Sequence, residues 1–261
     1  MGDGLTVRFA AALAATAMCA APTVGLARDK QFTATGYQLP ADKPVTIVVM
    51  RPDVEVGQLQ AGGAVEPNAD WTKAARDNLT EALRAHSQAR GVQMTMMDAA
   101  DGAAGKLVAD YEALHRAVAA AILTHKFSGA KLPTKADRFD WTLGSGAAQL
   151  GTAGGANYAL FFVGRDNFAS GGRKAMQVAG ALGCLIGFCV ITTGGQHVYY
   201  ASLVELSSGN VVWFNVQRGS KGDIREAEGA RGMVDAVLAT LPTRPGQGPI
   251  ETAAASIAPR R

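Results

Sequence analysis

Four histidines, at positions 86, 115, 125 and 197, are the side chains of this sequence best suited to proton transfer or metal binding near neutral pH. No two of them stand four residues apart, the spacing that puts two metal ligands on one helical face. Glu112 and His115 form a single acid–histidine pair, whereas a carboxylate-bridged metal centre needs a second such pair and further carboxylates. His86 and His115 therefore read as ordinary helix-face residues. No Gly-x-Ser-x-Gly elbow is present, and Ser145, between Gly144 and Gly146, reads as the start of a helix. The glycines from 144 to 155 lack a following Gly-Lys-Ser/Thr and precede a strand instead of following one, so they match neither a phosphate loop nor a dinucleotide fingerprint. Small residues that let a helix approach a sheet explain them. Asp98 and Asp101-Gly102 lack the alternating ligands and closing glutamate of a calcium loop and read as a turn. These residues define no catalytic, cofactor or metal set.

Two cysteines, Cys184 and Cys189, lie in an uncharged run of 17 residues from Ala175 to Ile191. A five-residue offset turns the two side chains about 140° apart on a straight helix. They are either two small buried hydrophobes or, with a helix end between them, a disulfide pair. The run follows Arg173 and Lys174, contains Gln177, and carries Gly183-x-x-x-Gly187 with Leu185, Ile186 and Phe188 around it. A bent helix packed on the sheet is the leading expectation. Contact with a membrane surface or another subunit through Gly183, Leu185, Ile186, Gly187 and Phe188 comes second. A true span ranks last, because it would place the strands on its two sides across a bilayer from one another.

The first 27 residues have the pattern of an export signal. Arg8 precedes a 13-residue apolar stretch from Phe9 to Ala21, Pro22 breaks it, and small residues lead to Ala27. Such a stretch is too short to cross about 30 Å of hydrocarbon, so cleavage after Ala27 is expected, with the protein released to the periplasm or cell envelope. A lipidated Cys19 is the rival, but Thr16-Ala17-Met18 lacks the small residue usually found just before such a cysteine. Net charge is only +3, with basic and acidic residues interspersed, which implies no nucleic-acid partner. At 48% hydrophobic residues the chain is globular. We expect an extension over 28–43, one domain over 44–241, and a disordered, mildly basic tail over 242–261, rich in Pro, Gly and Ala.

Within that domain Val45–Met50 reads as a central strand and Val54–Leu59 as a weaker extended segment. Trp71, Ala75, Leu79, Ala82, Leu83 and His86 mark the inner face of a helix ending near Gly91. Val92–Met97 is a second strand, and Leu107, Val108, Tyr111, Leu114, Val118 and Ile122 form the stripe of a second helix. Lys126–Phe139 reads as a polar connection and Tyr158–Val163 as a third strand. Val198–Glu205 and Val211–Val216 flank Ser207-Ser208-Gly209-Asn210, a hairpin signal. Ala230, Met233, Val234, Val237, Leu238 and Leu241 mark a closing helix stopped by Pro242. The expected fold class is α/β: a single mixed β-sheet of about five strands covered by helices, with a C-terminal β-hairpin and closing helix.

The phrase from Tyr200 to Trp213, with Tyr158–Val163 and the apolar insert, resembles the C-terminal half of small bacterial envelope domains. These are the penicillin-binding-protein activator lipoproteins, the curli-secretion lipoproteins and the N-terminal domain of the Tol translocation beta protein. Asp140-Trp141-Thr142-Leu143-Gly144 and Arg165–Arg173 are similar to uncharacterised exported proteobacterial proteins. The likeness covers roughly residues 44–241 and implies a fold and an address more than an activity. The resulting expectation is a non-catalytic cell-envelope accessory or binding protein whose partners are other envelope proteins. Its alternatives are an envelope hydrolase whose distant His and Asp residues converge, and a membrane-associated assembly subunit using residues 175–191.

Overall fold

The computed structural model describes residues 30–34, 36–90, 93–97, 102–127, 130–135, 138–184 and 195–243. The expected export signal and residues 244–261 of the expected tail lie outside this set. Its elements begin with strands β1 (Lys30–Thr33), β2 (Thr46–Val49), β3 (Asp53–Leu59) and β4 (Val65–Pro67), followed by helix α1 (Ala69–Arg90) and strand β5 (Gln93–Met96). Helix α2 (Gly102–Phe127), a 3-10 turn at Ser145–Ala147 and helix α3 (Ala148–Gly154) then lead to strand β6 (Tyr158–Ala169). Helix α4 (Gly171–Cys184), strands β7 (Gln196–Glu205) and β8 (Val211–Arg218), and helix α5 (Ala227–Leu238) complete the order.

One mixed sheet of eight strands runs β1-β8-β7-β6-β2-β5, with β3 also on β6 and β4 on β3. Strand β2 is parallel to β5 and β6, and β3 is parallel to β6 but antiparallel to β4, while β6, β7 and β8 form an antiparallel meander. At 12 residues β6 is long enough to pair with β2 along its first half and β3 along its second. From Val49–Leu160 to Asp53–Val163, four steps along one chain face three along the other, so the stretch Met50–Pro52 carries a bulge. Pro52 suits it, having no N–H to give a ladder.

Alternation along the strands separates two cores. Ile47, Val49, Leu160, Phe162, Tyr199, Leu203 and Trp213 face one side with the apolar stripes of α1 and α5. Val48, Met50, Phe161, Val163, Val204 and Phe214 face the other, against α2 and α3. All six expected inner residues of the closing helix segment are buried, and so are five of the six expected on α1, with Trp71 half-buried. Asn68 caps α1, its Oδ1 accepting from the Trp71 N–H at 2.9 Å. Gly209 takes φ 72° in the β7–β8 turn, against the backbone of Gly144, and its carbonyl accepts from the Leu143 N–H at 2.8 Å.

Four readings are corrected. The inner stripe of α2 is buried at His115, Ala119 and Ile122, while Leu114 is exposed: a neutral histidine stacked 4.1 Å from Phe161 takes the inward position. The α2 helix also runs through Lys126 to Phe127, shortening the expected connection. Strand β6 continues past Val163, because β3 and β7 supply ladder partners for its polar half. Strand β1, from the segment set apart as an extension, pairs with β8 and places Phe32 against Phe139.

Candidate functional site

The antiparallel register of β6 and β7 sets Asp166 opposite His197. Asp166 is fully buried; one carboxylate oxygen meets His197 Nδ1 and the other accepts from the Tyr199 hydroxyl. Gly164, opposite Tyr199, leaves room for the ring: a Cβ there would press on it at 2.8 Å. Burial, then the charge of Asp166, holds the Tyr199 hydroxyl well above its ordinary range, so it remains a donor. Phe168 lies edge-on to His197 at 5.5 Å, and the Arg225 guanidinium rests over Phe168 at 4.1 Å and Trp71 at 4.4 Å. The fork of Arg225 grips Asp223 at 2.5 and 2.8 Å, which keeps that carboxyl below the usual carboxylate range. A buried carboxylate that orients an imidazole is the geometry of a general base. The Nε2 face of His197, however, turns to Gly195, and no described side chain hydrogen-bonds it.

On the opposite face of the sheet, Asp53 joins Arg165 and Arg116, each at 3.1 Å. Deeper in, His115 Nε2 and Ser202 Oγ lie 2.8 Å apart. Burial is the main force pushing the His115 imidazole down to about 3, with the charge of Asp53 opposing it. Both partners are buried, which makes this pair a polar pin in the core and not a nucleophile with its base. His86 is likewise buried and joins α1 to α5 through Asp235 at 2.9 Å. His86 thus sits on the inner face of α1 that its spacing suggests, whereas His115, expected as an ordinary helix-face residue, is part of the core.

A third feature lies outside the carboxyl ends of β2 and β5, the position where open α/β sheets commonly take ligands. A cleft of about 430 Å³ opens there between α1 and α2. Arg51 and Pro52 come from the bulge, Arg76, Asp77, Thr80 and Arg84 from α1, and Met96 and Met97 from the end of β5. Gly105, Val108, Ala109 and Glu112 of α2 close it. Burial raises Glu112 above the usual carboxylate range, with Arg51 opposing the shift.

Of the contact residues named from sequence, Gly183 lies near the end of α4 and Cys184 is its last residue. Leu185, Ile186, Gly187, Phe188 and Cys189 lie outside the described residues, and so does the question of a disulfide. The expected burial of this segment fails over its described start: Ala175, Met176, Val178 and Ala179 are exposed, Met176 at 37% and Val178 at 61%. Helix α4 leaves the end of β6 held by its first turn, where Ser170 Oγ accepts from the Arg173 N–H at 3.2 Å and Arg173 Nη1 donates to the Gln60 carbonyl at 3.2 Å. Among the described residues no helix is long and apolar enough to cross a membrane. No group of three His, Cys, Asp or Glu side chains among them is placed to hold a metal ion.

The fold is mixed α/β, and its solved neighbours are proteins of distant sequence. PelC from Paraburkholderia phytofirmans, crystallised as a dodecamer, is similar at 14% identity and a TM-score of 0.31 over 80% of this chain and 95% of its own. A single-substitution form of the same PelC gives 13% and 0.32 over the same shares. Lipoprotein GNA1162 from Neisseria meningitidis is similar at 14% identity and a TM-score of 0.31, over 75% of this chain and 94% of its own. No protein-family model and no curated protein matches the chain.

Proposed function

We propose that this chain is an exported accessory protein of the cell envelope that works by binding, with α4 and the apolar run it begins as the contact element. The observation that carries this reading is the exposure of Met176 and Val178 on a helix secured to the domain by its first turn. Large apolar side chains left uncovered along one helix are a feature of interaction surfaces. The export pattern of residues 1–27 supports the address.

Fractionation of the untagged protein, with mass spectrometry of its mature N-terminus, tests the address, and native mass measurement of the soluble fraction tests the contact. The expected result is a chain starting at Arg28 within an assembly heavier than one copy. Val178→Asp should return it to monomer mass while changing stability by no more than about 0.5 kcal/mol, as for other exposed positions. A retained leader would defeat the address, and a wild-type monomer in the native extract would defeat the contact.

A second reading, an envelope hydrolase, draws on the Asp166–His197 pair. Turnover of an envelope substrate by the purified chain, abolished by His197→Ala in a variant that stays folded, would put it first. A third, the membrane-associated assembly subunit using 175–191, would be favoured by a protein that resists alkaline washing of the membranes.

A further inference from the structure

We infer that the cleft between α1 and α2 is a binding site for a phosphate group carried on a partly apolar molecule. Three guanidinium groups line it, Arg51 from the bulge and Arg76 and Arg84 from α1, and each has donors to spare. Arg51 makes no hydrogen bond or ion pair with any described residue. Arg84 reaches only Glu81, at 3.5 Å on the exposed helix surface. Nε of Arg76 is buried without a partner, and Nη2 has only a 3.5 Å approach to the Val54 carbonyl.

A buried guanidinium N–H without an acceptor is rare in a folded protein and points to a group that completes it. The acids in the wall do not fill that role. Asp77 is engaged by Lys73 at 2.7 Å, and neither Asp77 nor Glu112 hydrogen-bonds any of the three arginines. The cleft therefore favours an anion. Arginine forks match tetrahedral and planar oxyanions, and several around one small volume favour a doubly charged phosphate over a single carboxylate. The amino-terminal part of α2, with Gly105 on the wall, adds its partial positive charge. Pro52, Met96, Met97 and Val108 supply an apolar flank, and 430 Å³ holds more than a bare phosphate ion.

Pyrophosphate presents the phosphate alone from solution, and phosphatidic acid presents it with an apolar part from a lipid headgroup. Calorimetric titration of the purified exported chain with inorganic pyrophosphate, and flotation with phosphatidic acid vesicles against phosphatidylcholine vesicles, distinguish the two sources. Arg51→Gln and Arg76→Gln are each expected to weaken binding about 10-fold or more, the cost of one charge-assisted hydrogen bond. Lys131→Gln, on the exposed surface away from the cleft, should leave it unchanged. Glu112→Gln removes the opposing acid and should tighten binding several-fold, which keeps the test open if Arg76→Gln does not fold. Pyrophosphate binding with this pattern identifies a soluble phosphate, and vesicle binding alone with the same pattern identifies a headgroup. Binding to neither, or binding that ignores all three cleft substitutions, overturns the proposal.

Discussion

Replacing Asp166 with alanine should cost about 2–3 kcal/mol of folding stability, because it removes the fully buried acceptor shared by His197 and Tyr199. The Tyr199 hydroxyl would lose its acceptor while remaining enclosed, and His197 would lose the group that orients it. The Tyr199 hydroxyl reaches no water without opening the ladder between β6 and β7, whereas the His197 side chain, 19% exposed, already meets solvent. Asp166→Asn retains an oxygen for Tyr199 and should cost clearly less, and Tyr199→Phe alone should cost about 1–2 kcal/mol. Urea melts of the three variants, with Asp166→Ala/Tyr199→Phe closing a double-mutant cycle, provide the check. If the double variant is as unstable as the sum of the singles, the two side chains do not act as a unit.

Acid should weaken the fold through His115. Buried against Phe161 and bonded to Ser202, its imidazole stays neutral down to about pH 3, whereas in the unfolded chain it takes up a proton below about pH 6.5. The folded pKa is the lower of the two, so the associated stability is complete above about pH 6.5. It drains as the pH falls, by about 4 kcal/mol on reaching pH 3. Denaturant midpoints measured from pH 7 to pH 4 should fall steadily for the wild type. His115→Gln, whose amide keeps a hydrogen bond within reach of Ser202 but does not titrate, should flatten that slope. An equally steep slope in the variant would place the acid sensitivity elsewhere.

The contrast between what the chain reveals in one dimension and what it hides follows from how each signal is made. Tyr158–Val163 is continuously apolar because both faces of β6 are covered there, and so it reads as a strand. Arg165, Asp166 and Asn167 read as loop residues, yet they belong to the same strand. Arg165 is neutralised by Asp53 and Asp166 is bonded to His197 and Tyr199, partners that only the register supplies. In α2 the helical period was plain but its phase was not, since a histidine occupied a position that the pattern reserved for a hydrophobe. The closing helix posed no such difficulty, because Ala230, Met233, Val234, Val237 and Leu238 obey propensity and burial together. The cleft was illegible for a different reason. Positions 51, 76, 84 and 112 share no motif, and become neighbours only once β2 and β5 pair in parallel and α1 and α2 rise on either side. The sequence pointed instead to the glycine and cysteine run from 175, whose described start is the uncovered helix α4.

Strand β1 has a bearing on how the chain can be shortened. Its four residues lie against β8 from Val216 to Trp213, occupying the outermost hydrogen-bonding groups of the most apolar part of the meander. Lys30, two residues beyond Arg28, begins that cover. A polypeptide trimmed past Thr33 would present β8 as an open row of donors and acceptors flanked by Phe214 and Val216, a template on which further copies could add strand by strand. Residues 30–33 thus act as a guard against polymerisation, a duty that makes them as much part of the folded unit as the helices that cover its faces.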